Sequence, residues 1–338
     1  MKKMKKMCLL LAAIGAVGSM SFTTSAAVAA PPTKPLTVAV FGDWPYSSTS
    51  KANAPLLYNS VNNDPDVRLV VHVGDIHSGS QPCTGAGLGP VPSTAIPTYN
   101  QDIFNIFQQF QDPFVYTPGD NEWTDCHKKK QFTSGYPLNE LAAVRQLFFP
   151  VPGYTIGGVQ QEVKSQATEY ESQYPTDAQF VENVMWTQSN VVFVTLNIPG
   201  SNNDGLAWNG NFFNAPTPPF LNEAARQQEV TQRNAANLHW LNRAFLTAQA
   251  KKAAGMVIAI QADMWDLTAT VPGGDGLNGY DEFVQALATQ AVAFGRPVLL
   301  LNGDTHLFEA NKPLDPTDRT GCVDTTSLPG CTGGVVSA

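Results

Sequence analysis

The chain has 338 residues, 43% hydrophobic and 14% charged, with 28 acidic against 20 basic side chains. It is apolar enough to bury a sizeable core, which excludes a disordered chain. The acidic excess argues against a general affinity for nucleic acid or anionic lipid. The first thirty residues stand apart: Lys2, Lys3, Lys5 and Lys6 make a basic start, Cys8 to Val17 an apolar run, and Ala27-Val28-Ala29 an A-x-A site. This is the pattern of a cleavable secretory signal over 1–29, too short in its apolar part to serve as a membrane anchor. No later stretch is long and apolar enough to span a bilayer. The expected location is therefore periplasmic or secreted. Without the signal, 16 basic residues face 28 acidic ones, a net charge of −12.

From Leu36 onward, strand-like runs at 36–42, 68–74, 113–117, 190–197, 256–261 and 297–302 alternate with helical patterns at 52–61, 100–110, 138–148, 222–252 and 281–294. Such alternation predicts a single α/β domain over 36–312, with helices on both faces of its sheet. Leu238, Leu241, Phe245 and Leu246 fall at helical spacing, so the long fourth helix is expected to pack on that sheet. The stretch from Ser78 to Asn100 is rich in Gly, Pro, Ser and Thr, and 152–185 is polar and weakly patterned, expected as a surface excursion. Residues 313–338 form a polar, Gly-rich, irregular tail.

Cys83, Cys126, Cys322 and Cys331 remain after processing, and an even count in an exported protein suggests two disulfides. Cys322 and Cys331 close a short loop. Cys83 and Cys126 would then pair, tying the loop after the second strand to the loop after the third. CxxC pairs are absent, which argues against a zinc ribbon.

Four of the apolar runs end in Gly-Asp: Gly42-Asp43, Gly74-Asp75, Gly119-Asp120 and Gly303-Asp304. The glycine is expected to let the backbone turn, leaving the aspartate at the strand's carboxyl end, where open α/β sheets bind ligands. One such motif is an ordinary turn or helix cap. Four carboxylates brought to one edge repel each other unless cations lie between them, so the series points to a metal site.

In order, the strand ends read GDWPY (42–46), HVGDIHSG (72–79), PGDNEW (118–123), IQADMW (260–265) and NGDTH (302–306). The series resembles the calcineurin-like metallophosphoesterase superfamily, whose blocks run D-x-H, G-D, G-N-H-E/D, a strand ending in His, and G-H-x-H. The resemblance covers about Leu36 to His306, including a helix of the Q-x-x-W-L type at 237–245. It implies a layered sheet core with helices on the outer faces and the site at the strand ends. Asp43 matches the first-block aspartate, Asp75 the aspartate that bridges two metals, and His306 the last histidine. Elsewhere the pattern departs. Pro45 replaces a histidine, with Tyr46 beside it; purple acid phosphatases of the same superfamily use a tyrosine ligand, but at another place. Asp120 stands for the asparagine ligand and Asn121 for the acid/base histidine, although a one-residue shift would make Asn121 the ligand. Glu122 is retained, Gln261 stands for the fourth-block histidine, and Asp304 for the first histidine of the last block.

The substitutions exchange nitrogen for oxygen donors. The implied ligand set is Asp43, Asp75, Asp120, Gln261, Asp304 and His306, holding two divalent cations, with Mn²⁺, Mg²⁺ or Ca²⁺ favoured over zinc or iron. The implied activity is hydrolysis of a small phosphorylated substrate, a phosphodiester or phosphomonoester, by a metal-activated water. With the family's acid missing, Asn121 can donate only a hydrogen bond at neutral pH. His77 is then the nearest candidate proton donor, and His127 a second. Asn202 and Asn203, after the fourth strand, and Tyr46 are candidate substrate-binding residues.

Plainer readings stand beside these. His239 reads as a packed helical residue, His72 as core, and His127, before the Lys128–Lys130 run, as part of a solvated loop. Trp44, Trp123 and Trp265 either wall the sheet edge or stack on substrate. A turn rich in Gly, Ser and Asn explains Asn202 and Asn203 equally well. The alternative function is a non-catalytic, metallophosphoesterase-like exported binding protein; a carbohydrate-binding module rests on the tryptophans alone.

Overall fold

A computed structural model describes residues 35–83, 98–210, 218–266, 278–306, 308 and 310–313. The signal segment, the tail from 314 and the expected Cys322–Cys331 pairing lie outside these residues. Strands β1 (Thr37–Phe41), β2 (Val67–His72) and β3 (Phe114–Tyr116) form one sheet, parallel throughout, in the order β1-β2-β3. A second sheet runs in the order β4-β5-β6-β7-β8, from β4 (Lys164–Ser165), β5 (Val184–Gln188), β6 (Val191–Thr195), β7 (Gly255–Ala259) and β8 (Val298–Leu301). Its β6, β7 and β8 are parallel neighbours, while β4 and β5 pair antiparallel at the other side.

The six expected strands are present, and β4 and β5 are additional. β4 lies in the segment read as a surface excursion, and β5 begins at its end. That expectation is corrected: Val163, Ser165, Phe180, Glu182, Asn183, Val184 and Met185 there are buried. The segment looked polar because its buried polar groups pair with each other. Asn183 donates to Gln166 at 2.8 Å and to Asn237 at 2.9 Å, and Arg145 grips the buried Glu182 through Nε and Nη2 at 2.8 and 2.6 Å. Buried polar groups persist only when satisfied in this way.

Side chains alternate across each strand, and each face has its own cover. On the first sheet, Val70, Phe114 and Tyr116 pack with Phe107, Phe110, Val144 and Phe148 from helices Thr98–Phe107 and Pro137–Phe148 and the turn between. On the second, Val192, Val194, Met256 and Ile258 pack with Trp240, Leu241, Phe245 and Leu287 from helices Pro218–Ala250 and Asp281–Phe294. The remaining faces meet each other: Leu69, Val71, Val73 and Val115 of the first sheet share one cluster with Val184, Trp186, Phe193 and Ala259 of the second.

The layers thus run helix, sheet, sheet, helix. One sheet flanked by helices on both faces is replaced by two sheets, each with helices on one face only. A strand buried on both sides carries the same apolar run whether a helix or another sheet covers it, so the pattern did not separate the two cases. The long helix packs through Leu241, Ala244, Phe245 and Ala248 with Leu238 beside them, whereas Leu246 points to solvent at 56% exposure. No helix among the described residues is long and apolar enough to cross a membrane.

Candidate metal site

The carboxyl ends of the two sheets come together where backbone and side chain interlock. Asp43 N–H donates to Gly74 O at 2.9 Å and Trp44 N–H to Asp75 O at 3.0 Å, joining the ends of β1 and β2. Asp304 N–H donates to both Asp43 carboxylate oxygens, at 3.1 and 3.2 Å, which brings the end of β8 to the same place. Three of the four aspartates themselves take left-handed backbone, with φ of 52° at Asp43, 59° at Asp75 and 81° at Asp304. Such conformations are sparse outside glycine and gather at functional sites. The glycine turns left-handed only at Gly74. At Gly119 its use is space, because a Cβ there would stand 2.1 Å from Asp75 Oδ1.

Asp75, Asp120 and Asp304 each bring one oxygen within 4.8 Å of the other two. Oxygens on opposite sides of a hard cation, at metal–oxygen distances of roughly 2.0–2.6 Å, stand about that far apart. The electrostatics ask for a cation as well. Burial, then the charges of Asp120, Glu122, Asp43 and Asp304, push the Asp75 carboxyl well above the usual range. Asp304 is raised by burial and Asp120, Asp43 by burial, and Asp120 is pushed up to about 6 by burial and Asp125 against the pull of Lys128. Carboxylates so placed are stable as anions only with positive charge among them. The donor set is oxygen, as Mg²⁺, Mn²⁺ or Ca²⁺ prefer.

Tyr46 is the hub of the other half of the site. Its hydroxyl lies 3.1 Å from Asp43 Oδ1, 3.0 Å from Asp75 Oδ2 and 3.1 Å from His306 Nε2. Burial and the two carboxylates hold it as a neutral phenol. His306 also reaches Asp43 Oδ1 at 3.4 Å and is half exposed. Asn121 turns its amide inward, with Nδ2 donating to Asp75 Oδ2 at 2.7 Å and its backbone N–H to Oδ1 at 3.2 Å. In the open choice of register, then, Asp120 lies in the carboxylate group and Asn121 serves Asp75. Gln261 meets the site through Asp120, with Nε2 at 3.3 Å from Oδ1, and its own oxygen accepts from Gly200 N–H. Beneath lies Glu122 Oε1, which accepts from Gly119 N–H at 2.7 Å, Tyr116 hydroxyl at 2.5 Å and Asp75 N–H at 3.1 Å. Burial lifts the Glu122 carboxyl to about 7 against those bonds.

The expected proton donors are elsewhere. His77 is buried, with Nδ1 at 3.2 Å from Ser78 O and its ring edge-on to Tyr99. His127 is buried too, correcting the solvated-loop reading; its Nδ1 accepts from Asn209 N–H at 3.0 Å. Burial drops both rings to about 4, so they stay neutral near pH 7. His72 is core, as expected, and His239 stacks on Tyr174 and contacts Asp177 Oδ2 at 2.9 Å. Trp123 is fully buried, and Trp44 and Trp265 pack against the clusters of the two sheets.

The segment after β6 meets the site through a residue sequence reasoning missed. Ser201, Asn202, Asn203 and Asp204 are all left-handed, with φ between 54° and 63°. This turn aims Ser201 Oγ at Asp120 Oδ2, 2.6 Å away, and at Asp125 Oδ1, 2.8 Å away. Asn202 and Asn203 are taken up outside the carboxylate group, by Asn278 and Gly279 and by Asn234, Gly279 and Arg233. Asp125, Lys128 and Lys130 were missed as well. Asp125 is fully buried, and its oxygens bind Lys128 Nζ at 2.8 Å and Lys130 Nζ at 3.2 Å. Its only mark in sequence was an acid five residues past Asp120 beside a cysteine. The Cys83–Cys126 disulfide forms as expected and fastens this arm to the loop after β2. A scan of protein-family models and a search of curated proteins matched nothing to this chain.

Proposed function

We propose that the chain is an exported, cation-dependent phosphoesterase that hydrolyses a small phosphodiester or phosphomonoester. The observation that carries this reading is the convergence of Asp43, Asp75, Asp120 and Asp304 from four strand ends of two face-packed sheets, with all four carboxyls raised by burial and Asp75 and Asp304 raised further by the others. The helix–sheet–sheet–helix layering supports it, since the resemblance implies a layered sheet core with its site at the strand ends. Asp75, Asp120 and Asp304 would hold one hard cation, and Asp43, Asp75, Tyr46 and His306 a second. When bound, such cations supply a nucleophilic water at neutral pH and offset charge on the phosphoryl oxygens.

The chain's own residues do the rest. Asn121 fixes the Asp75 carboxylate through two hydrogen bonds, and Glu122 anchors the Gly119 and Asp75 backbone beneath it. Gln261 and Ser201 orient Asp120 from either side. The buried disulfide supports an oxidising compartment, in keeping with the signal segment.

A second reading, a binding protein without turnover, is favoured by one observation: both candidate histidine acids are buried and neutral. Hydrolysis of bis(p-nitrophenyl) phosphate by the mature protein separates the two, with Mn²⁺, Mg²⁺, Ca²⁺ or Zn²⁺ added in turn. Turnover that requires a hard cation and falls at least roughly 10³-fold in Asp75→Asn is expected, by analogy with the loss of a main electrostatic element. No turnover with any of the four would leave the binding reading.

A further inference from the structure

We propose that Lys130 is the group that carries the charge developing on the leaving oxygen, in the place where this site has no histidine acid; this rests on the phosphoesterase reading. Lys128 and Lys130 both bind the one buried carboxylate of Asp125, at 2.8 and 3.2 Å. Lys128 is largely enclosed and also donates to Ser201 Oγ at 2.6 Å, which locks it into the wall. Both ammoniums also act on the nearby Asp120 carboxylate. Of the two, Lys130 is the one open to solvent, its side chain 54% exposed.

The position of Lys130 is set by its neighbours. A Cβ built on Gly79 would stand 2.5 Å from Asn121 Oδ1 and 3.1 Å from Lys130 Nζ, so the ammonium lies beside the amide that holds Asp75. Gly79 belongs to the loop after β2, Lys130 to the loop after β3, and the Cys83–Cys126 disulfide ties the two together. Lys128 and Ser201 meet Oδ1 of the buried Asp125 carboxylate, and Lys130 meets Oδ2 while leaving part of its side chain open to solvent. A second lysine held there has its use in what it presents to the mouth of an otherwise acidic site. His306, the exposed titratable group of the other half of the site, is held against Asp43 and Tyr46.

In the reaction, the bond from the attacking water to phosphorus forms as the ester P–O bond breaks, and the electron pair of that bond goes to the leaving oxygen. Lys130 donates a hydrogen bond to that oxygen. The leaving group takes a proton from solvent in exchange for the one the attacking water releases. An ammonium used this way relieves poor leaving groups most, because they carry the most charge.

The test is kcat/KM across a series of aryl phosphodiesters from p-nitrophenyl to phenyl, for wild type, Lys130→Met and Lys130→Arg, with Mn²⁺ present and folding checked by thermal unfolding. Lys130→Met should lose roughly 10²-fold on phenyl esters and much less on p-nitrophenyl esters, steepening the dependence on leaving-group acidity, and Lys130→Arg should restore most of it. An unchanged slope, or a loss uniform across the series, overturns the assignment while wild-type turnover keeps the phosphoesterase reading. Absence of turnover in wild type removes that reading and this proposal together.

Discussion

Asp75 has its carboxylate pressed against backbone that admits no side chain. The Cβ of an alanine at 119 would fall 2.1 Å from Oδ1, 2.5 Å from Asp75 N and 2.8 Å from Gln261 Cγ, and the backbone nitrogen among them cannot swing away. Gly119→Ala should therefore cost about 1–3 kcal/mol through overpacking and displace the carboxylate that the other site residues surround. Urea unfolding and calorimetric Mn²⁺ binding on the same variant check both effects; unchanged stability with unchanged binding would contradict the geometry. At this scale the sequence was readable where chemistry and position coincide. Asp43, Asp75, Asp120 and Asp304 were visible because each ends an apolar run. Ser201, Asp125 and Lys130 were not, because what brings them in is a left-handed turn and two short 3₁₀ segments that no hydrophobic period marks.

The turn from Ser201 to Asp204 is an element with an unusual backbone, and the long helix holds it there. Left-handed residues cost roughly 1–2 kcal/mol each for non-glycine side chains, and four in a row need outside support. Arg233, fully buried in helix Pro218–Ala250, supplies it: its guanidinium binds Asn203 O at 3.2 Å and Asn203 Oδ1, pairs with Glu229 at 2.8 Å, and lies over the Trp123 ring. Tyr280 hydroxyl accepts from Asn203 N–H at 3.0 Å on the other side. Arg233→Met leaves Glu229 without its partner and the turn without its clamp. A loss of about 3–5 kcal/mol is expected in urea unfolding, as when one member of a buried pair is removed; a change below 1 kcal/mol would refute the clamp. The helix itself was legible from its periodicity. Its role was not, since a buried arginine reads as a surface residue until the turn it grips is known. The same limit applied to β4 and β5, whose buried Asn183 and Glu182 network looked polar in sequence.

Over the whole molecule, two populations of buried titratable groups pull in opposite directions with pH. His72, His77 and His127 are lowered to about 4; their contribution to stability is complete above the ordinary histidine value of about 6.5 and is lost as pH falls toward 4. The carboxyls are raised, Asp120 to about 6, Glu122 to about 7 and Asp75 and Asp304 well above the usual range. Their contribution is complete below the ordinary carboxyl range and is lost as pH rises through those values. Above the ordinary histidine value of about 6.5 the histidines change little, so without a cation the fold should weaken as pH rises through the Glu122 value of about 7. Thermal unfolding of metal-stripped protein from about pH 6.5 to about 8, with and without Mn²⁺, in wild type and Asp75→Asn, tests this most directly. The stripped wild type should melt lower as pH rises, and Mn²⁺ at about 100 times its Kd should restore roughly 5 °C or more, a gain absent in Asp75→Asn. A stripped wild type indifferent to pH, or an equal gain from Mn²⁺ in Asp75→Asn, would contradict a cation site built on these carboxylates.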